Sequence, residues 1–135
     1  MNRLLWTLQA LLAAVFLFSG LLKLLVPVDQ MQQQLPLPAA LIYLIGTLET
    51  LGAFGLILPS VLRIYPALTP LAAAGLTILM ACATVLTPLL GDPIASASLP
   101  LCLGILAAFV AYGRARRSPI AGRTAAGRAL NLASR

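Results

Sequence analysis

The chain contains no histidine, only two cysteines and only three acidic residues. It therefore lacks the ligands for the common zinc clusters and for a histidine-bound haem, and no metal site is predicted. Charged residues make up 9% of the sequence, whereas soluble domains carry about 25%. Hydrophobic residues make up 61%, and the mean hydropathy is +1.01. The composition predicts an integral membrane protein of one domain, too short to carry a separate soluble enzyme.

Four apolar runs are each long enough to cross a bilayer as a helix. The predicted spans are residues 4–26, 38–58, 66–90 and 97–112. Proline ends the first two runs, at Pro27 and Pro59. Runs rich in leucine and alanine favour helices, since a β-barrel needs alternating strands of about ten residues instead. We therefore predict an all-α, antiparallel bundle of four transmembrane helices within residues 1–113.

Basic residues in the connections predict the orientation of this bundle. Arg3 precedes the first span, Arg63 lies between the second and third, and six arginines follow in residues 114–135. The other two connections carry Asp29 and Asp92 but no basic residue. The positive-inside rule therefore predicts that both termini are cytoplasmic. The C-terminal segment is predicted to be flexible and to contact anionic lipid, and no nucleic-acid partner is expected.

The N-terminal sequence MNRLLWTLQALLAAVFLFSG also has the basic start and apolar run of a signal peptide. Cleavage would leave three spans, and the charge pattern is consistent with both arrangements. However, the apolar run continues through LLKLLVP, beyond the usual length of a signal-peptide core. Trp6 also suits an interfacial anchor. These features favour an uncleaved first span.

Two ionisable residues lie inside predicted spans, where a charge near the centre costs about 2.5–3.5 kcal/mol. At about 1.5 Å per residue, Lys23 lies roughly 6 Å inside the outer end of its span and Glu49 roughly 15 Å inside. Two arrangements remain open: a direct or water-bridged pair, or a Lys23 that reaches the headgroups while Glu49 is protonated. We interpret both residues as catalytic candidates, because a purely structural bundle would be served by apolar residues there.

Glycines at regular spacing predict close helix packing around these two residues. Gly20 precedes Lys23 by three positions, and Gly46 precedes Glu49 by the same interval. The candidate substrate-binding residues are Gly20, Gly46, Gly52, Thr84 and Thr87. The alternative is that the glycines serve helix packing alone. The predicted core positions include Leu17, Gly20, Gly46, Gly52, Gly55, Gly75 and Ala83.

The two cysteines are predicted at similar depth. Cys82 and Cys102 should both lie about 8–12 Å inside the outer ends of consecutive antiparallel helices. They are therefore redox candidates, as a dithiol or a disulfide. The sequence offers no Cys-x-x-Cys motif and no nearby cation to lower a thiol pKa. We therefore favour the alternative, in which both are small buried hydrophobic residues.

The segments VFLFSGLLKLLVP, LIGTLETLGAFGLILP, PLAAAGLTILMACATVL and LAAFVAYGR resemble the DoxX-like family of small four-helix membrane proteins. The resemblance covers roughly residues 10–114. In that family a Gly-x-x-Lys motif closes the first helix, and here it falls on Gly20 and Lys23. A Gly-x-x-Glu motif opens a glycine-rich second helix, and here it falls on Gly46 and Glu49.

The third span departs from the family pattern. Relatives often carry Gly-Ala near its middle and a histidine four residues beyond that alanine, where this chain has Cys82, Ala83 and Thr87. Threonine does not titrate near neutrality and is a poor metal ligand, so a histidine-dependent activity is not expected. The family's name-giving relatives are similar to subunits of thiosulfate:quinone oxidoreductases. The resemblance implies a multi-pass, redox-associated protein of the bacterial inner membrane.

Several functions agree with these features. The first is redox-associated work on a quinone or other small lipophilic substrate near Glu49, with other membrane or redox subunits as partners. The second is a non-catalytic membrane partner or ligand-binding subunit. A proton-coupled exporter ranks lower, because small multidrug transporters carry their acid in the first helix, where this chain has Lys23. Epoxide opening or cyclisation initiated by Glu49 is a further alternative. The sequence identifies neither a substrate nor a cofactor.

Overall fold

The computed structural model describes residues 2–62, 64–65, 67–117, 128 and 130–133. Its five α-helices are α1 (Asn2–Leu25), α2 (Val28–Gln34), α3 (Ala39–Leu62), α4 (Leu68–Leu89) and α5 (Ser98–Tyr112). A 3₁₀ turn, Ile94–Ala97, precedes α5, and a π-helical turn, Gly113–Arg117, follows it. Within these ranges, α1, α3, α4 and α5 with its flanking turns are long and apolar enough to cross a membrane. The predicted all-α bundle of four spans is confirmed.

The bundle has two ends of different character. Helix α1 packs against α3, α3 also packs against α4, and α4 packs against α5. Because successive spans run in opposite directions, α2 and residues 90–97 lie at one end, which we call the loop end. The start of α1 and residues 113–117 lie at the other, which we call the termini end. Of the predicted flexible segment, residues 118–127, 129 and 134–135 lie outside the described residues.

Proline and glycine mark the helix boundaries at the loop end. Pro27 precedes α2, Pro38 precedes α3 and Pro93 precedes the 3₁₀ turn. Proline suits these places because its fixed φ matches the first helical turn and its missing N–H is not needed there. Gly91 follows α4 with a φ of 95°, a left-handed conformation that glycine adopts without strain.

The predicted end of the second span at Pro59 is wrong. Helix α3 continues through Pro59 to Leu62. Proline removes one backbone donor, but membrane helices tolerate this where neighbouring polar side chains bond to the backbone. The carbonyl that Pro59 leaves without its helical donor is that of Gly55. The Gln9 side chain of α1 and the Ser60 hydroxyl both donate to the next carbonyl, that of Leu56.

The core is built from residues of all four spans. Its buried members are Leu12, Ala13, Phe16, Ala53, Leu56, Ala73, Leu76, Met80, Ala107 and Val110. The outer faces carry large apolar side chains such as Phe18, Leu71 and Ile78. Such surfaces suit lipid, because hydrocarbon tails are as apolar as leucine and packing rather than hydrophobicity holds the helices together.

Most of the predicted core positions pack inside the bundle, but one does not. Gly20 and Gly46 are buried, and Leu17, Gly52, Gly55 and Ala83 are half-buried. Gly75 is exposed, and a Cβ at this position would meet nothing within 4 Å. The prediction for Gly75 is therefore wrong, because this residue faces open space on the outer side of α4 rather than a contact with another helix.

Candidate functional site

The two charged side chains inside the spans meet where α1 crosses α3. Lys23 Nζ lies 2.8 Å from Glu49 Oε2. The Lys23 ammonium also donates to Ser19 Oγ at 2.6 Å, and the Ser19 hydroxyl donates to Glu49 Oε2 at 3.0 Å. The Glu49 side chain is only 5% exposed and that of Lys23 is 17% exposed. Of the two arrangements left open by the sequence, the structure shows the direct pair.

Two glycines allow this close crossing. A Cβ on Gly46 would lie 2.8 Å from Lys23 Cβ and 3.1 Å from the Gly20 carbonyl oxygen. A Cβ on Gly20 would lie 2.8 Å from the Gly46 carbonyl oxygen and 2.9 Å from the Thr50 nitrogen. Real Cβ atoms do not approach other atoms so closely, so a side chain at either position would force the helices apart. The Gly-x-x-Lys and Gly-x-x-Glu spacings therefore place each charge one turn beyond the contact point.

A pocket of about 470 Å³ lies beside the ion pair. All four spans contribute to its wall, and half of the lining residues are leucine. Its polar side chains are Ser19, Lys23 and Glu49 on one side, with Cys82 and Thr87 of α4 on another. Small-molecule sites in proteins are typically apolar cavities of about 300–1,000 Å³ with a few converging polar groups. The arrangement is therefore suited to a small lipophilic ligand that presents one polar group to the ion pair.

The segment after α2 forms the wall of this pocket at the loop end. Leu35 and Leu37 both line the pocket. Gln32 of α2 donates from Nε2 to the Leu37 carbonyl at 2.9 Å, which ties the short helix to this segment. Apolar side chains of this segment, whose backbone accepts a hydrogen bond from α2, therefore form part of the pocket wall.

The predicted substrate-binding residues lie in different places. Thr87 lines the pocket, although its hydroxyl donates to the Ala83 carbonyl at 2.8 Å. Thr84 is not among the lining residues, and its hydroxyl donates to the Met80 carbonyl at 2.7 Å. The first two glycines lie at the α1–α3 crossing rather than in the pocket wall, and Gly52 lines a separate groove between α3 and α4.

The two cysteines are free thiols, and both are exposed. The prediction that they are buried hydrophobic residues is therefore wrong, because depth along a helix does not fix which face a residue occupies. Cys82 lines the pocket, whereas Cys102 lines neither this pocket nor the separate groove. In the described part of the chain, no three Cys, Asp or Glu side chains come together as a metal-binding group.

A second polar cluster, which the sequence analysis did not identify, lies at the termini end. Gln9 donates to Ser60 Oγ at 2.8 Å and accepts from Arg114 Nε at 2.9 Å. Ser60 and Thr69 share a hydrogen bond of 2.8 Å, and the Arg114 guanidinium lies 5.1 Å from the centre of the Trp6 ring. These residues come from α1, α3, α4 and the turn after α5. The signal that could have identified the cluster is a glutamine inside the apolar run LLWTLQALL.

Comparison with known proteins gives one match. The sequence model of the DoxX-like family matches residues 7–110, a range that includes both Lys23 and Glu49. No match was found among curated proteins or among solved structures. The family match confirms the resemblance inferred from the sequence motifs.

Proposed function

The chain belongs to the DoxX-like family, and on that premise we propose that it binds a quinone or another small lipophilic molecule beside Glu49. The observation that carries this proposal is the pocket of about 470 Å³, in which apolar walls meet one buried ion pair. In this proposal the protein is redox-associated and resides in the bacterial inner membrane. Both termini are cytoplasmic, so the pocket belongs to the outer half of the bilayer.

The chemistry of the ion pair suits the two redox states of a quinone. A lysine ammonium has three donor hydrogens. Ser19 Oγ and Glu49 Oε2 accept two of the Lys23 donors, which leaves one for a quinone carbonyl oxygen. The bonds from Lys23 and Ser19 both go to Oε2 of Glu49, which leaves Oε1 to accept from a quinol hydroxyl. The ion pair therefore offers a donor to the oxidised quinone, from Lys23, and an acceptor to the reduced quinol, from Glu49.

We assign Lys23 and Glu49 as the catalytic residues on this basis. Reduction of a quinone to a quinol takes up two electrons and two protons, one at each ring oxygen. Lys23 gives a proton to the nearer oxygen on reduction, Glu49 takes that proton back on reoxidation, and the farther oxygen exchanges its proton with water. A partner membrane redox subunit supplies the electrons. Thr87 and Cys82 line the pocket and contact the ligand. In the same proposal Gly20, Gly46 and Gly52 act through helix packing.

A ligand-binding subunit without turnover is the second candidate. The observation that favours it is Thr87, which lines the pocket and donates its hydroxyl to the Ala83 carbonyl. A threonine in this position provides no group that titrates near neutrality. In that case Lys23 and Glu49 recognise the ligand, and an associated subunit performs the chemistry.

Ligand retention tests both candidates. The wild-type protein and the Glu49→Gln variant are purified in the same detergent, and bound lipids and quinones are identified by mass spectrometry. We expect wild type to retain a specific lipophilic molecule and Glu49→Gln to lose it while remaining folded. Asp92→Asn is the matched control, since it makes the same acid-to-amide change at an exposed residue outside the pocket. Equal retention by wild type and folded Glu49→Gln would refute the proposal.

A further inference from the structure

We infer that the ligand of this pocket carries a long apolar tail, which leaves the pocket along the groove between α3 and α4. This inference rests on the proposed function, because the pocket must hold the head of the ligand. It narrows the substrate class to an amphiphile. Such a molecule has a compact head with oxygen acceptors and an isoprenoid or acyl tail.

The groove is a second cavity of about 470 Å³ on the outer faces of α3 and α4. Leucine is the commonest residue in its wall, and its glycines are Gly52, Gly55 and Gly75. A Cβ on Gly52 would lie 2.6 Å from Leu76 Cδ2, and one on Gly55 would lie 2.8 Å from Ala72 Cβ. These two glycines let the helices touch at the base of the groove. The open space at Gly75 widens the groove at the outer face of α4.

The groove and the pocket adjoin each other. Leu48 of α3, with Leu79 and Cys82 of α4, lines both of them. Leu48 and Cys82 are exposed, so the shared edge of the two cavities faces lipid. From Cys82 to Leu68 the groove follows α4 for about 21 Å at roughly 1.5 Å per residue. That length is about two-thirds of a hydrocarbon core of about 30 Å.

The distribution of polarity identifies the occupant. The ion pair and Ser19 lie in the pocket, whereas the groove is lined by apolar side chains, glycines and the Cys82 thiol. Lipid tails are as apolar as leucine, so covering an apolar groove in a membrane yields no hydrophobic gain. A tail tethered to a bound head differs from free lipid, because its effective concentration at the groove is high. A polar pocket that adjoins an apolar groove therefore fits a single amphiphile, with its head in the pocket and its tail in the groove.

Blocking the groove without touching the pocket tests this inference. The variant is Gly75→Leu, because Gly75 lines the groove only and a Cβ there meets open space. Ala81→Leu is the matched control, since Ala81 is exposed on the same helix and lines neither cavity. The probes are a fully substituted benzoquinone bearing a tail of four isoprene units and the same ring bearing a methyl group instead. Binding is measured in nanodiscs of fixed lipid composition and expressed per mole of lipid.

We expect Gly75→Leu to weaken binding of the long-tailed probe roughly tenfold, the effect of about 1.4 kcal/mol of lost packing. Binding of the methyl probe should not change, and Ala81→Leu should affect neither probe. If Gly75→Leu binds both probes as wild type does while Glu49→Gln binds neither, the tail assignment is wrong and the proposed function stands. If Glu49→Gln binds both probes normally, the proposed function itself fails.

Two measurements on the wild-type protein do not depend on the folding of a variant. A saturating long-tailed probe should slow alkylation of Cys82 by N-ethylmaleimide more than the methyl probe does, with Cys102 unaffected as the internal control. Absence of any protection of Cys82 by the long-tailed probe would overturn the inference. Mild oxidation without ligand should give no Cys82–Cys82 disulfide between two copies. Efficient formation of that dimer would mean that a second copy of the chain fills the groove.

Discussion

Removing the charge of Glu49 should destabilise the bundle, and removing the charge of Lys23 as well should restore most of the loss. Glu49→Gln keeps the shape and one acceptor but leaves the Lys23 ammonium without its counter-charge at 2.8 Å. Breaking a buried pair from one side costs about 3–5 kcal/mol. The 17% exposure of Lys23 and the remaining amide acceptor reduce this, so we expect a loss of about 2–3 kcal/mol. At roughly 4 °C per kcal/mol, the melting temperature should fall by about 10 °C.

The double variant separates stability from function. Glu49→Gln with Lys23→Met replaces the pair by an amide and an apolar side chain. Apolar replacements of buried ion pairs are often neutral, so stability should return to within about 1 kcal/mol of wild type. Ligand should still be absent, because both proposed binding groups are gone. The single and double variants together give the coupling free energy between Lys23 and Glu49. The double variant also shows whether the protein folds without the ion pair.

The assay is thermal unfolding of wild type, both single variants and the double variant in one detergent, followed by circular dichroism. Asp92→Asn is again the control, because this exposed acid lies outside the ion pair and the pocket. A coupling energy within about 0.5 kcal/mol of zero would refute the energetic role of the pair, since independent sites add within that margin. Normal ligand retention in the double variant would refute the site assignment.

Four further predictions test the packing, the thiols and the orientation. Gly46→Ala should lower stability by about 1–3 kcal/mol, because the added methyl group collides with the facing helix; Gly75→Ala, which meets open space, should be neutral or slightly stabilising in the same melts. Gln9→Leu should cost about 2–3 kcal/mol by leaving buried groups of the termini-end cluster without their hydrogen bonds; an unchanged melting temperature would contradict this. Cys82→Ser and Cys102→Ser should each leave folding and ligand retention nearly intact, and loss of ligand in a folded variant would make that thiol functional. A reporter active only outside the cell, fused to the C-terminus, should be inactive, and clear external activity would refute the proposed orientation.

The fold and the family could be predicted because they depend on coarse features of the sequence. Four apolar runs of sufficient length determine four spans whatever their packing. The glycine motifs at Gly20 and Gly46 also carried information about a contact, because each glycine stands one turn before a charge. Those spacings placed Lys23 and Glu49 on facing sides of neighbouring helices, although they left the direct pair and the snorkelled lysine equally open.

The remaining errors share a physical cause. A sequence predicts how deep a residue lies in the membrane more readily than it predicts which face of the helix the residue occupies. The spans predict the depth of Cys82 and Cys102 but do not determine which face of the helix they occupy, and both are exposed rather than buried. Glycine often marks helix contacts, which predicts Gly75 in the core, yet a Cβ there would meet nothing within 4 Å. Pro59 predicts the end of a helix, whereas α3 continues through it and a glutamine on another helix bonds to the backbone beside it. That bond depends on tertiary contacts between distant parts of the chain.

The two polar clusters differ in how far along the chain their partners lie, and therefore in when each can form during synthesis. The ion pair joins α1 to α3, so a nascent chain that has released its first two spans into the bilayer can already neutralise both charges. Gln9 behaves differently, because it donates to α3 at Ser60 and accepts from Arg114, which is made after the last span. Until Arg114 has been synthesised, the side-chain oxygen of Gln9 cannot accept the hydrogen bond from Arg114 Nε. A chain that ends before Arg114 would therefore lack the Arg114 donor to the Gln9 side chain.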